Sequence, residues 1–292
     1  MIRKSLVVGA VYFLLFLSLF FVVTAWLVFR GGEGGGWDAK EKIALIRIEG
    51  VIVDSKVVVD ELHRYAEDES IMAILLRIDS PGGAVAPSQE IYDAVLQVRE
   101  EEGKKVVTSM GSVAASGGYY IASATDVIFA NPGTLTGSIG VIMELTNFQE
   151  LFEKLGLKSV TIKSGKNKDV GSPFREMKKE ERALLQNVLD DVHSQFIEAV
   201  SQGRSLDIET VRSLADGRIF TGRQAKAVGL IDELGSLDAA VKMTAELVGI
   251  EGKPRLVETK QKLSFFDLMR SQVFGQLERP AASVRLDYLF SF

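Results

Sequence analysis

Cysteine is absent from the 292 residues, and histidine occurs only twice, at His63 and His193. Without thiols there is neither a disulfide framework nor a thiolate metal site, and the redox state of the compartment is left open. His63 lies in an acidic helical segment and reads as a surface residue. His193 falls at the edge of an apolar helix stripe and reads as a half-buried ring with its hydrogen bonds satisfied. No metal cluster is visible and no cofactor is implied. Charge of one sign is not in excess either: 34 basic and 39 acidic side chains give a net charge of -5. No long basic run tracks phosphates, so nucleic acid is a poor partner. What the chain does have is a hydrophobic fraction of 47%, enough for a sizeable core in one large domain or two modest ones.

The first apolar feature is the uncharged run from Leu6 to Phe29. As a helix it would span the ~30 Å hydrocarbon layer, whereas a cleaved secretory signal has an apolar core of only about 7 to 15 residues. A single retained membrane anchor over residues 1–30 is expected, with the lipid bilayer as a partner. Arg3 and Lys4 precede the run, and Arg30, Lys40, Lys42 and Arg47 follow it, so the basic count alone does not orient it. We expect the N-terminus inside and the remaining domain extracytoplasmic. Residues 31–42, glycine-rich, read as a flexible tether.

Residues 43–250 carry the pattern of a folded domain, and 251–292 that of a tail. "IALIRIEGVIV", "IMAILLRIDS", "KKVVTSM", "DVIFANP" and "SVTIKSG" predict strands. Between them, "APSQEIYDAVLQVREEE" sets Ile91, Val95 and Val98 on one helix face. "KEERALLQNVLDDVHSQFIEAV" does the same with Leu185, Leu189, Val192, Phe196 and Val200. Alternating strands and helices argue for an α/β layer fold, and the nearly continuous apolar run Ile71 to Ile78 for a largely parallel central sheet. Ligands of such sheets collect beyond the carboxyl ends of the strands, where "DSPGGAV" and "GSVAASGG" fall. "NPGTLTGSIGV" reads as a connection. The C-terminal "LSFFDLMRSQVFGQLERPAASVRLDYLFSF" is unusually aromatic for a tail; packing is its plainest use, and a subunit contact, a membrane-surface element or a visit to the groove are the others.

Ser116 stands directly before Gly117 and Gly118, where no hydrophobic pattern calls for a hydroxyl. If it opens a helix running to about Ala124, it sits beside unpaired backbone N–H groups that could stabilise an oxyanion. Gly82 and Gly83 could aim a second N–H without a side chain blocking substrate. A serine needs a base, and neither histidine has suitable company. A lysine serves only when its amine is neutral, which lowers a pKa of about 10.4 by roughly 3 units and demands a dry setting. Lys158, Lys163, Lys166 and Lys168 are close together, and spacing does not choose among them.

"RIDSPGG", "MGSVAASGGYYIA", "LTGSIGV", "IKSGKNKDVGSPFREM" and "GRIFTGRQAKAVGLIDELG" occur in that order, and together they resemble the signal peptide peptidase A family of serine-lysine peptidases. The resemblance covers about Ile43 to Val248 and the anchor, and corresponds to the short, single-copy form. It implies a Clp protease/crotonase-like fold of repeated ββα units. It implies Ser116 as the nucleophile, Lys168 as the general base and Ser138 as the hydroxyl that holds the lysine amine, with Gly83 and Gly117 as oxyanion-hole donors. It also implies peptide substrates, remnant signal peptides among them, and a homo-oligomeric ring in which serine and lysine come from neighbouring subunits.

Each residue has a plainer reading: Ser116 as a helix cap, Gly82-Gly83 as a tight turn, Ser138 as a loop hydroxyl, Lys168 as a solvated charge. Tyr119 and Tyr120 read as packing residues, and the charges at 176–182 as a solvated helix face. A crotonase-type acyl-CoA enzyme would share the fold and oxyanion hole but leave Ser116 and Lys168 without a task. An inactive peptide-binding scaffold would not need them at all.

Overall fold

A computed structural model describes residues 17–24, 42–259 and 287–289. The chain divides into two compact units, Met1–Ala39 and Lys40–Phe292. In the first, residues 17–24 are helical; the rest of the run expected to form the anchor, and the tether up to residue 41, lie outside the described residues. Among the described residues no helix is long and apolar enough to cross a membrane.

In chain order the second unit runs β1 (Lys42–Glu49), α1 (Lys56–Glu67), β2 (Ile71–Ser80), β3 (Gly82–Ala84), α2 (Val85–Glu100), β4 (Lys105–Ala115), α3 (Gly117–Ser123), β5 (Val127–Ala130), β6 (Leu135–Gly137) and α4 (Gln149–Lys154). It continues with α5 (Lys179–Arg204), α6 (Ile208–Leu214), β7 (Ile219–Thr221), α7 (Gly222–Ala227), β8 (Glu233–Leu234), α8 (Leu237–Leu247), β9 (Arg255–Glu258) and β10 (Asp287–Leu289). The main sheet has eight strands in the order β7-β6-β4-β2-β1-β9, with β5 beside β4 and β8 beside β5. Every pairing in it is parallel except β6 with β7. The fold is therefore mixed α/β with a largely parallel sheet.

The continuous apolar run of β2 follows from burial on both faces. Ile74, Leu76 and Ile78 belong to the core formed with α1, α2, α3 and α5, while Leu75 points the other way, into a smaller core with Ile43, Val107, Phe129 and Ala240 of α8. On α2, Ile91, Val95 and Val98 are fully buried. On α5 the apolar stripe is buried at Phe196 and Val200 but only half-buried at Leu185, Leu189 and Val192, so its C-terminal half is the part that packs.

Two local expectations change. Residues 159–163 form no strand: Val160 and Ile162 are 83% and 96% exposed, in an irregular segment of the excursion between β6 and α5. Their β-branched alternation suits a strand, but among the described residues no neighbouring backbone pairs with it. Conversely, the segment read as a connection holds β6, which pairs Val113–Ala115 with Leu135–Gly137.

Candidate active site

The carboxyl ends of β2 and β4 lie side by side, Ser80 paired with Ala114, at the edge where parallel sheets collect their ligands. β4 ends at Ala115 and α3 begins at Gly117, so Ser116 is the corner between them. Its backbone has φ 52° and ψ -116°, the positive-φ region that a residue with a Cβ avoids, at a strain of about 1–3 kcal/mol. Two hydrogen bonds hold it there: Ser116 N–H donates to Gly137 O at 2.8 Å, and Tyr120 N–H donates to Ser116 O at 2.8 Å. The side chain is 1% exposed, and Oγ is buried with no hydrogen-bond partner among the described residues. An orphaned buried hydroxyl costs about 1–3 kcal/mol. Strain and an unmet hydroxyl at one residue are what a poised nucleophile carries and what a helix cap lacks; Ser116 makes no side-chain cap bond.

Beside this corner lies β3. Ile52 N–H donates to Gly82 O at 2.9 Å and Ala84 N–H to Ile52 O at 2.7 Å. Because N–H and C=O of alternate strand residues face opposite sides, Gly83 turns its own N–H and C=O away from Ile52. Only glycine fits at 83: a Cβ there would lie 2.0 Å from Ile52 O. On the side Gly83 faces, β10 pairs antiparallel with β3, Tyr288 opposite Gly83. A tail segment thus lies along the glycine strand, one of the uses its aromatic composition left open. The Asp79 carboxylate links β2 to β4, accepting the Val113 N–H at 3.0 Å across the irregularity in their register.

Ser138, 7% exposed, follows Gly137, the residue that accepts the Ser116 N–H. It too has a positive φ, 51°, and its N–H donates to Arg218 O at 2.9 Å. A cavity of about 470 Å³ opens beside it, lined also by Val141, Ile142, Leu189, His193 and Gly217. His193 differs from the expected satisfied ring: its Nε2 is buried without a hydrogen-bond partner among the described residues. His63 is exposed. Tyr119 is fully buried and donates to Leu230 O at 2.8 Å. Burial raises the hydroxyl pKa of Tyr119 and pushes that of Tyr120 up to about 12, so both are packing groups.

Ser116, Ser138, Gly83 and Gly117 are brought to one edge of the sheet; Lys168 is not joined to them within the chain. It lies exposed in a turn, its N–H donating to Gly165 O at 3.1 Å. Of the neighbouring lysines, Lys163 is committed to the Asp169 carboxylate. Asp169 and Glu181 are gripped by Arg175. Glu181 is 6% exposed, so one of the charges expected on a solvated helix face is instead buried in an ion pair. The local signal was "SPFREMKKEE", an arginine six residues before a glutamate in the first turn of α5.

The model of peptidase family S49 matches residues 98–251, and that of Clp protease matches residues 41–134. A protein of Synechocystis assigned as a protease is 46% identical over 214 residues, 73% of this chain and 76% of that relative. One of Enterococcus faecium assigned as a signal peptide peptidase is 35% identical over 70% of this chain and 62% of its own length. Protease 4 of Haemophilus influenzae is 33% identical over 73% of this chain, but the match spans 36% of that longer relative. A match over more than half of the chain, which includes the corner that presents Ser116, places the protein: it belongs to peptidase family S49 and is a serine peptidase.

Proposed function

We propose that the chain is a membrane-anchored endopeptidase with a Ser116–Lys168 dyad, acting on extended apolar or unfolded polypeptides, remnant signal peptides among them. The observation that carries this reading is Ser116 itself: strained, buried and, among the described residues, without a partner for Oγ, beside a glycine strand whose outer edge takes an extended segment, here the chain's own β10. Substrate adds to β3 as a strand, with main-chain hydrogen bonds giving affinity and side-chain pockets giving preference. A cavity of about 810 Å³ beside Ile52 has a mixed lining, Val51, Val53 and Val57 together with Arg47, Glu49 and Glu61, and leaves the side-chain preference open. The ββα repeats of Clp and crotonase proteins are the proposed frame.

In the reaction, the neutral Lys168 amine takes the Ser116 Oγ proton as Oγ attacks the peptide carbonyl. The N–H groups of Gly83 and Gly117 receive the oxyanion, and the Ser138 hydroxyl holds the amine in place. The ammonium returns the proton to the leaving nitrogen; water, deprotonated by the same amine, then releases the acyl group from Ser116. A lysine exposed in its own chain is not dry enough for this task. That favours a homo-oligomeric ring in which the Lys168 turn of one copy enters the Ser138 cavity of the next; the exposed Val160 and Ile162 on the same excursion suit such a contact. Residues 6–29 anchor the ring, with the catalytic domains outside the cytoplasm.

The test is cleavage of an apolar peptide by Ser116→Ala and Lys168→Ala, alongside labelling by a serine-reactive probe. Both variants should be inactive, with the probe labelling Ser116 only when Lys168 is present. Hydrolysis surviving in both would remove the dyad.

A further inference from the structure

The Lys168 turn sits on an excursion with little packing of its own, yet a general base must be held within a fraction of an ångström of its partner. Within the turn Lys163 Nζ donates to Lys166 O at 2.9 Å and to the Asp169 carboxylate, and one guanidinium, that of Arg175, ties the turn to α5. Arg175 Nε donates to Asp169 Oδ2 at 2.9 Å and Nη2 donates to the Asp169 carbonyl at 2.9 Å, so both backbone and side chain of the residue after Lys168 are fixed. Toward the other side, Nη1 donates to Glu181 Oε2 at 2.8 Å and Nη2 to Glu181 Oε1 at 2.6 Å. Nη1 also donates to Glu176 O at 3.0 Å. Every N–H of the fork has an acceptor, a geometry that lysine's ammonium cannot reproduce.

Glu181 is not a passive anchor. Its carboxylate also accepts the Lys178 N–H at 3.0 Å, so it closes the first turn of α5, and its side chain is 6% exposed. Farther along, α5 packs on the helix that follows Ser116. The ring of Phe196 meets that of Tyr120 edge-on, with centroids 5.0 Å apart. Gly203 lies so close that a Cβ there would be 2.0 Å from Ser123 O. One 26-residue helix therefore carries the Lys168 turn at one end and packs on α3 of its own chain at the other. The excursion closes on itself over the same point, with Phe148 N–H donating to Pro173 O at 2.6 Å and Phe152 against Phe174 at 4.8 Å between centroids.

We propose that Arg175 is the positioning residue for the general base: through Asp169 and Glu181 it sets the Lys168 turn on the N-terminal end of α5. The proposal rests on Lys168 being the base. It extends that reading by assigning the turn's geometry to a residue that touches neither substrate nor Ser116.

The test uses the full-length protein and an apolar peptide substrate. Arg175→Lys should lower kcat by on the order of 30-fold with KM changed less than about threefold, because alignment of the base is lost and the peptide groove is not. Arg175→Gly should lose as much, and millimolar guanidinium should restore part of the rate by refilling the fork. In a Lys168→Ala background Arg175→Lys should have no further effect, since both act on one step. Should an arginine variant fail to fold, Glu181→Gln keeps the turn's other ties and should give an intermediate loss in kcat. A kcat within threefold of the parent in Arg175→Lys would overturn the proposal. So would a further loss on top of Lys168→Ala, or a loss confined to KM. Full activity in Lys168→Ala alone would instead remove the base assignment, a result distinct from each of these.

Discussion

The backbone N–H of Ser116 donates to the carbonyl of Gly137 at 2.8 Å, so the strained corner and the residue preceding Ser138 are locked across the ends of β4 and β6. The bond explains why two serines, both with positive φ, are neighbours although 22 positions apart: each terminates a strand of the same parallel pair. Ser138→Ala should leave the fold intact and lower kcat on the order of 10-fold or more, the scale of a group that aids proton transfer. Steady-state kinetics with thermal unfolding as a control checks this; an unchanged kcat would return Ser138 to a loop hydroxyl.

Gly83 carries a steric demand that can be measured apart from chemistry. Gly83→Ala places a methyl group 2.0 Å from Ile52 O, so β3 must move away from Ile52. Overpacking of this kind costs about 1–3 kcal/mol, and the displaced N–H no longer faces the groove. Turnover should be lost while Ser116 stays buried in a folded protein of lower Tm. Normal kcat in a folded Gly83→Ala would take the oxyanion role from this residue.

The pairing of β10 with β3 makes a further demand. Backbone groups of Gly82–Ala84 engaged by Asp287–Leu289 cannot at the same time bind a substrate strand, so peptide and tail compete. A chain ending at Val284 should show a lower KM for short peptides, by roughly the free energy of a few strand hydrogen bonds at ~0.5–1.5 kcal/mol each, with kcat little changed. An unchanged KM would mean the tail pairing has no weight in solution.

Acid should act on the Arg175 clamp with a definite sign. Its hydrogen bonds hold the Glu181 carboxyl at about 2, below the usual ~4.3, and hold Asp169 lower still. A carboxyl whose folded pKa is depressed adds stability above its unfolded pKa and loses it as pH falls through the folded value. Glu181→Gln should therefore lower Tm by a constant amount at neutral pH, with the gap to the parent closing between about pH 4 and pH 2. A gap that widened on acidification would contradict the ion pair.

The residues differ in how far they could be read without coordinates, and the reason is range. The β2 run, Ile71 to Ser80, was legible because burial on both faces leaves no polar alternation. Ser116 was legible because a strand ends and a glycine helix begins within three residues. Residues 159–163 misled because alternation records a preference for extended backbone, while a strand also requires a neighbour. Arg175 was hidden among charges that look solvated: its partners Asp169 and Glu181 lie six residues to either side, across a loop whose path the sequence pattern does not specify. The seat of β10 on β3, some 200 residues away, is tertiary information.

Whether the base is supplied in cis or by a neighbour can be decided by counting. Ser116→Ala and Lys168→Ala copies are each inactive if both groups act in every site. If serine and lysine of one site share a chain, a mixture of the two has no intact site and stays inactive. If each site takes its serine from one copy and its lysine from the next, an equal, randomly assembled mixture has an intact pair at about one interface in four. Co-expressed or dissociated and reassembled variants should then recover about a quarter of the parent kcat at unchanged KM. Because the chain has no cysteine, the same geometry has a check that needs no activity: Lys166→Cys and Gln186→Cys, the latter on the lining of the Ser138 cavity, each made singly and mixed, should form a disulfide-linked dimer only if the turn of one copy reaches that cavity of another. Recovery of activity without cross-linking would move the contact elsewhere on the excursion, and absence of both would leave each Lys168 to its own chain.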